Sequence, residues 1–206
     1  MPQLTKVLTV PILPTLKGST DHDHCPASSN HRLPGAYWGP QVEDPKKSTL
    51  FINYDSPEAY TAFQTSSACC PQLQKAVSYP TDASYDAELN PPSSKILGSA
   101  LIIETTKFHL KPEVTRECWL EQQRAVEALL DAGVKGCVGY SSGFCIETET
   151  DFLALVGWES VEAHETWAAE EKAKQDSVLR RYDELIVGRD AFHVAVKEVM
   201  PGASSC

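Results

Sequence analysis

No CxxC pair occurs in this chain, and its seven cysteines are an odd number, so neither a zinc-ribbon spacing nor a fully paired disulfide framework is available. Cys118 falls in an expected helix, Cys137 in an expected strand and Cys145 near that strand's end. These positions suit small buried hydrophobes in a reduced, cytoplasmic protein. No apolar run approaches the ~20 residues that a membrane-spanning helix requires. The apolar stretch Val7–Leu16 is broken by Pro11 and Pro14 and has no small-residue cleavage site after it, so it is expected to enter the fold as a strand. A phosphate loop, a dinucleotide fingerprint, a GxSxG elbow and an HExxH helix are all missing, which removes the best-marked nucleotide, hydrolase and metalloprotease chemistries. Positive charge is also scarce. The net charge of −10 opposes a nucleic-acid backbone or an anionic membrane surface as partner.

What is present is an ordinary globular composition, 42% hydrophobic and 22% charged over 206 residues, enough for a substantial core. It also carries a faint internal repeat. Residues 48–63 lie over residues 152–167 at a constant offset of 104, with Ser56, Glu58 and Ala59 identical to Ser160, Glu162 and Ala163. Tyr54, Tyr60 and Phe63 face Trp158, His164 and Trp167. Each copy reads as a buried strand (Thr49–Tyr54, Phe152–Trp158) running into a helix whose N-cap is Ser56 or Ser160, with Glu58 or Glu162 in the first turn.

The second half spells out the remaining elements. Ser99–Leu110 reads as a strand. Glu113–Ala132 reads as a helix with an apolar stripe at Val114, Cys118, Ala125, Leu129 and Ala132, closed by Gly133. Strands over Val134–Tyr140 and Phe152–Trp158, a long helix or bent pair over Val161–Val187, and a strand over Ala191–Met200 complete a β-α-β-β-α-β order, the ferredoxin-like arrangement. The first half offers strands near Lys6–Ile12 and Ala36–Glu43. Lys17–Gly35 and Ser66–Ser94 read as loop-rich, with short helical pieces around Gln72–Val77. With the boundary at Pro91-Pro92, residues 1–95 form a diverged first repeat containing the long loop 17–35, and residues 96–206 form the second. The fold class expected is α+β, with tandem ferredoxin-like repeats.

An apolar strand followed by Trp158-Glu159-Ser160-Val161-Glu162-Ala163-His164 resembles the dimeric α+β barrel superfamily, in particular its antibiotic-biosynthesis-monooxygenase-like branch. The likeness is best over residues 99–200 and thinner over 36–65. It implies two ferredoxin-like units packed sheet to sheet in one pseudo-dimeric chain, so that self-association is permitted but not needed to close the barrel. It also implies a ligand cavity between each sheet and its helices. Members of the superfamily include cofactor-free oxygenases, haem-degrading proteins, decarboxylases, cyclases, isomerases and proteins without a known reaction. In cofactor-free quinone-forming members a tryptophan and a downstream ring residue approach the substrate, which singles out Trp158 and His164. The asparagine such members carry earlier on the strand is replaced here by Ala154, with Leu50 in the other half.

Among residues chosen on their chemistry, His193 has Ala191 and Ala195 on its own strand face, leaving room beside an imidazole that can transfer protons near neutral pH. His109 and Glu104 are further acid/base candidates on strands, and a buried glutamate would have a raised pKa. Tyr140, Tyr54, Tyr60, Trp38 and Trp158 are the expected substrate-binding residues, with core packing as the competing explanation for each aromatic. The run Asp21-His22-Asp23-His24-Cys25, with His31 nearby, lacks a rigid element to fix metal geometry, so loop 21–31 is expected to be a solvated loop or a lid, and no metal site is assigned. The function expected is that of a cofactor-independent enzyme of specialised metabolism, acting on a small apolar polyketide, aromatic or terpenoid in a barrel cavity. Oxygenation and acid/base-assisted cyclisation or isomerisation are both open. The alternatives are a non-catalytic small-molecule-binding or stress-response protein and a haem-binding or haem-degrading protein.

Overall fold

The structure is a computed structural model that describes residues 3–11, 35–56, 58–61 and 81–200. The expectations for loop 17–35 (apart from Gly35, the first residue of a strand), for the His/Asp run 21–31 and for helical pieces at 72–77 lie outside the described residues. In chain order the elements are β1 (Gln3–Pro11), β2 (Gly35–Pro40), β3 (Lys47–Tyr54), β4 (Ala83–Leu89), the short helix α1 (Ser94–Leu97) and β5 (Ile102–Leu110). There follow α2 (Arg116–Asp131), β6 (Cys137–Phe144), β7 (Asp151–Trp158), α3 (Val161–Ala173), α4 (Val178–Leu185), β8 (Ile186–Ala195) and β9 (Lys197–Met200).

Two antiparallel sheets result, one ordered β4-β1-β3-β2-β9 and the other β6-β7-β5-β8. Period-two alternation gives each sheet an inner and an outer face. The inner faces meet in one core, to which Val7, Phe51 and Leu89 contribute from the first sheet and Ile103, Leu155 and Val194 from the second. The space between the sheets is therefore packed solid in this region. On the outer face of the second sheet, Phe108, Phe152 and Trp158 pack under α2 and α4 against Trp119 and Tyr182. The fold is α+β, two ferredoxin-like units in one chain built as a dimeric-α+β-barrel-type assembly.

The two sheets join along two equivalent seams. At one, Gln41 bridges to Val194 and the Val42 amide donates to the His193 carbonyl at 2.9 Å. At the other, Cys145 bridges to Ala87 and the Ile146 amide donates to the Asp86 carbonyl at 2.8 Å. Gln41 and Cys145 stand at the same offset of 104 that relates the repeated strands.

Several expectations need correction. Ser66–Ser94 is not all loop. It contains β4, where Tyr85, Ala87 and Leu89 point inward while Ser84 and Glu88 stay exposed. That alternation, among polar residues at a sheet edge, is a strand signal that overall polarity conceals. Ala191–Met200 is two strands rather than one: β8 ends at Ala195, and β9 crosses to pair with β2 in the other sheet. The second strand of the second unit starts at Cys137, not Val134, and runs to Phe144. Of the two forms expected over Val161–Val187, a long helix or a bent pair, the structure has the pair, α3 and α4.

The buried stripe of α2 is Trp119, Gln122, Gln123, Val126 and Leu130, one position on from the expected one. Two glutamines obscured it, and both are paired. The Gln122 amide donates to the Val178 carbonyl at 2.6 Å, and Tyr182 Oη donates to Gln123 Oε1 at 2.6 Å. No helix among the described residues is long and apolar enough to cross a membrane.

Both expected serine caps form. Ser56 Oγ accepts from the Ala59 amide and Ser160 Oγ from the Ala163 amide, each at 3.2 Å. Because Ser160 sets the start of α3, Ser160→Ala is expected to cost about 1 kcal/mol. Urea unfolding should show a lower midpoint with an unchanged slope.

Candidate functional site

Three strands bring one row of polar side chains to the outer face of the second sheet. Glu104 of β5 stands between Val156 of β7 and His193 of β8 in the sheet register. Beyond the end of β7, the capped start of α3 carries His164 back over that row. The result is a continuous chain of acid/base groups. The indole Nε1–H of Trp158 donates to Glu104 Oε2 at 3.2 Å, and Thr106 Oγ1 donates to Glu104 Oε1 at 3.2 Å. His164 Nε2 lies 3.3 Å from Glu104 Oε2, and His164 Nδ1 is 2.8 Å from His193 Nε2. His193 Nδ1 is 2.5 Å from Glu43 Oε1, a carboxylate supplied by the first half of the chain. The His193 amide also donates to that carboxylate, at 3.1 and 2.9 Å.

The Glu104 and His164 side chains are 18% and 17% exposed and His193 10%, whereas Glu43 is 47% exposed. Three members of the relay are thus sheltered, and the Glu43 end meets solvent.

Burial lowers the pKa of His164, and the neighbouring Glu104 charge opposes this only in part. Burial alone would raise Glu43, but the hydrogen bonds from the amide and imidazole of His193 outweigh it and hold the carboxyl below its ordinary value of 4.5. Stability from this contact is thus present above pH 4.5 and is lost as the pH falls through the lowered folded value.

One hydrogen is shared between His164 Nδ1 and His193 Nε2, and another between His193 Nδ1 and Glu43. His164 Nε2, the nitrogen that faces Glu104, is thus linked through its own ring to His193 and on to Glu43. A proton exchanged at Nε2 can be balanced at Nδ1 by His193, so the chain can carry one proton to or from the sheltered end.

The sheltered end opens on a cavity of about 170 Å³ between the second sheet and its helices. Glu104, Thr106 and His164 face it, with Ala154, Val156 and Ala191 as the low floor of the sheet. This cavity lies on the outer face of the second sheet, beneath α2–α4, between a sheet and its helices.

The structure brings Glu104, His164, His193 and Trp158 together. Trp158 is fully buried and both packs and orients: its ring lies 5.2 Å from His164 and 5.5 Å from Trp167. Tyr140 lines the cavity, its hydroxyl on Asp131 at 3.1 Å and its pKa pushed up to about 12 by burial and that carboxylate.

His109 is elsewhere. Odd parity puts it on the other face of β5, between Asp151 at 2.9 Å and Asp190 at 3.2 Å. Trp38, Tyr54 and Tyr60 belong to the first sheet's outer face, beside Leu8, Leu50 and Ile52. Cys118, Cys137 and Cys145 are free thiols. Burial and nearby carboxylates push Cys145 up to about 12, so it is no nucleophile at neutral pH.

The first half repeats this geometry with different chemistry. Lys6 stands between Ile52 and Asp86, as Glu104 stands between Val156 and His193. Tyr60 takes the place of His164, and Glu147 receives the Asp86 amide at 2.8 Å, as Glu43 receives that of His193. Lys6 Nζ and Tyr60 Oη both bond Asp86 Oδ2, at 3.0 and 2.9 Å. Burial favours neutral Lys6, but Asp86 outweighs it and raises the ammonium pKa, while burial and Asp86 together raise that of Tyr60. This is a fixed ion pair with no proton to lend near neutrality.

Asp86 and Glu43 were not among the residues singled out from sequence. The offset that pairs Glu43 with Glu147, carried beyond residues 48–63, is the signal for Glu43.

No protein-family model matches the chain, and no curated protein matches it by sequence. Solved structures share its fold. One is a protein of Fusobacterium nucleatum assigned as a monooxygenase, with TM-score 0.61 and 11% identity over 96% of this chain and 95% of that one. Another is an anthrone oxidase-like protein, with TM-score 0.60 and 15% identity over 100% and 96%. A third is assigned as a chlorite dismutase, with TM-score 0.59 and 8% identity over 96% of each chain. Their descriptions differ while their architecture agrees, so what they share with this chain is the dimeric α+β barrel fold.

Proposed function

We propose that the protein is a cofactor-independent enzyme of specialised metabolism, of the antibiotic-biosynthesis-monooxygenase-like kind, whose first step removes a proton from a phenol or enol. The observation that carries this reading is the Glu104–His164–His193–Glu43 chain ending at the cavity wall. Glu104 takes the hydroxyl proton. The electron-rich ring carbon then gives electrons to dioxygen, the oxidant. In a quinone-forming oxygenation a CH₂ group and O₂ become a carbonyl and water, so the substrate supplies all the reducing equivalents. His164 Nε2, at the cavity wall, is placed to protonate the departing peroxide oxygen, with His193 exchanging a hydrogen at Nδ1.

Cavity size narrows the substrate. A void of about 150 Å³ accepts one benzene-sized molecule. The cavity here, about 170 Å³, therefore suits a single ring better than a tricyclic anthrone. Haem does not fit this cavity, and both ring nitrogens of His164 and of His193 are already engaged.

A second reading, isomerisation or cyclisation, is favoured by Ala154 on the cavity floor, which places no amide over the substrate. It uses the same proton without oxygen.

Incubating the protein with phenolic and enolic monocycles under labelled dioxygen and under argon separates the readings. Label in the product and no reaction under argon is the expected result. Product under argon moves the function to the second reading. No conversion of any member in air, with the ligand bound, would leave a binding protein.

A further inference from the structure

The cavity has a cationic side as well as an acid/base end. Arg189 and Lys172 line it together with Glu104 and His164. Arg189 lies on β8 opposite Phe108, four register positions from the His193–Glu104 pair and on the same face. At roughly 3.3 Å per residue, the two ends stand about 13 Å apart along the sheet before their side chains reach inward. Arg189 and Lys172 are both exposed, whereas Glu104 and His164 are sheltered, so the cations mark where the cavity meets solvent.

Neither cation is firmly committed. Arg189 meets Asp183 at 3.8 Å, and that aspartate is 60% exposed, a contact of little strength. Lys172 makes no ion pair among the described residues. Glu127, the carboxylate behind the Ser142 wall, is occupied by Ser142 at 2.8 Å and Gln123 at 3.0 Å. The net charge of −10 opposes an anionic ligand at long range, so holding one calls for local cations of this kind. Between the two ends Ala154, Val156, Leu179 and Trp167 give apolar wall, beside the polar side chains of Gln123 and Ser142.

We propose that the substrate is a small aromatic acid with an ionisable hydroxyl, held with the hydroxyl on Glu104 and His164 and its carboxylate between Arg189 and Lys172. One ring with a short unsaturated arm spans the two ends. This rests on the acid/base reading of Glu104 and His164 and adds the anionic group at the far end. Arg189 offers the fork geometry for a carboxylate and Lys172 a second charge.

The test is calorimetric binding of para-hydroxycinnamate, its methyl ester and unsubstituted cinnamate to the full chain and to the Arg189→Gln/Lys172→Gln double variant. Loss of charge-assisted bonds predicts that the ester binds about tenfold or more weakly than the acid. In the double variant acid and ester should bind alike, with the ester's own affinity unchanged. Equal binding of acid and ester to the wild-type chain, an acid preference that survives in the double variant, or failure of the acid to bind would each overturn the proposal. Cinnamate binding as tightly as para-hydroxycinnamate would instead sink the hydroxyl-recognising role of Glu104 and His164, leaving the cationic end intact.

Discussion

Glu104→Gln is expected to lower turnover of a phenolic or enolic substrate by about 100- to 10,000-fold, the range a positioned acid/base group contributes, while the protein remains folded. The substitution removes the carboxylate that takes the substrate proton. The side-chain volume is retained. With the amide oxygen in the place of Oε2 it still accepts from the Trp158 indole, and the amide nitrogen can donate to Thr106 Oγ1, so thermal unfolding should move little. Steady-state kinetics beside a melting curve checks both halves. Native turnover in the folded variant would remove Glu104 from the mechanism.

Gly143→Ala is expected to open the barrel seam, at a cost of about 3 kcal/mol or more. A Cβ at residue 143 would lie 1.9 Å from the Glu88 carbonyl oxygen and 2.8 Å from its carbon, both backbone atoms that cannot rotate away. The seam is hydrogen-bonded on each side, by the Asn90 amide to the Ser142 carbonyl at 2.9 Å and by the Ile146 amide to the Asp86 carbonyl at 2.8 Å. Prying it apart breaks these bonds as well. Gly39 holds the equivalent place at the other seam, where a Cβ would lie 2.0 Å from the Ala195 carbonyl oxygen. Gly188 is the control, since nothing lies within 4 Å of its Cβ position. Chemical denaturation should find Gly188→Ala near wild type and Gly143→Ala strongly destabilised. Similar midpoints for the two would show that the seam yields cheaply.

The second half was legible because its strands are apolar and its helices are long and capped. Ser160, Gly133 and the Phe152–Trp158 run each announce their element. The first half was harder to read. The outer residues of β4 (Ser84, Asp86, Glu88) made a strand look like loop, although Tyr85, Ala87 and Leu89 keep strict alternation. In α2, buried Gln122 and Gln123 read as surface because their partners, Val178 and Tyr182, lie far along the chain. Parity on β5 and β8 was enough to place Glu104 and His193 on strands that can pair. That their side chains share a face with His164, and that His109 does not, required the register. Glu43 is the clearest omission. Its role depends on a seam between the two halves, and local sequence does not display contacts made across 150 residues.

The central claim is the shared-hydrogen chain of the relay, and nitrogen NMR of the histidine rings at neutral pH tests it most directly. The account predicts one hydrogen shared between His164 Nδ1 and His193 Nε2, seen as coupling across the two rings, and a second held by His193 Nδ1 against Glu43. Two rings that share no hydrogen would contradict it.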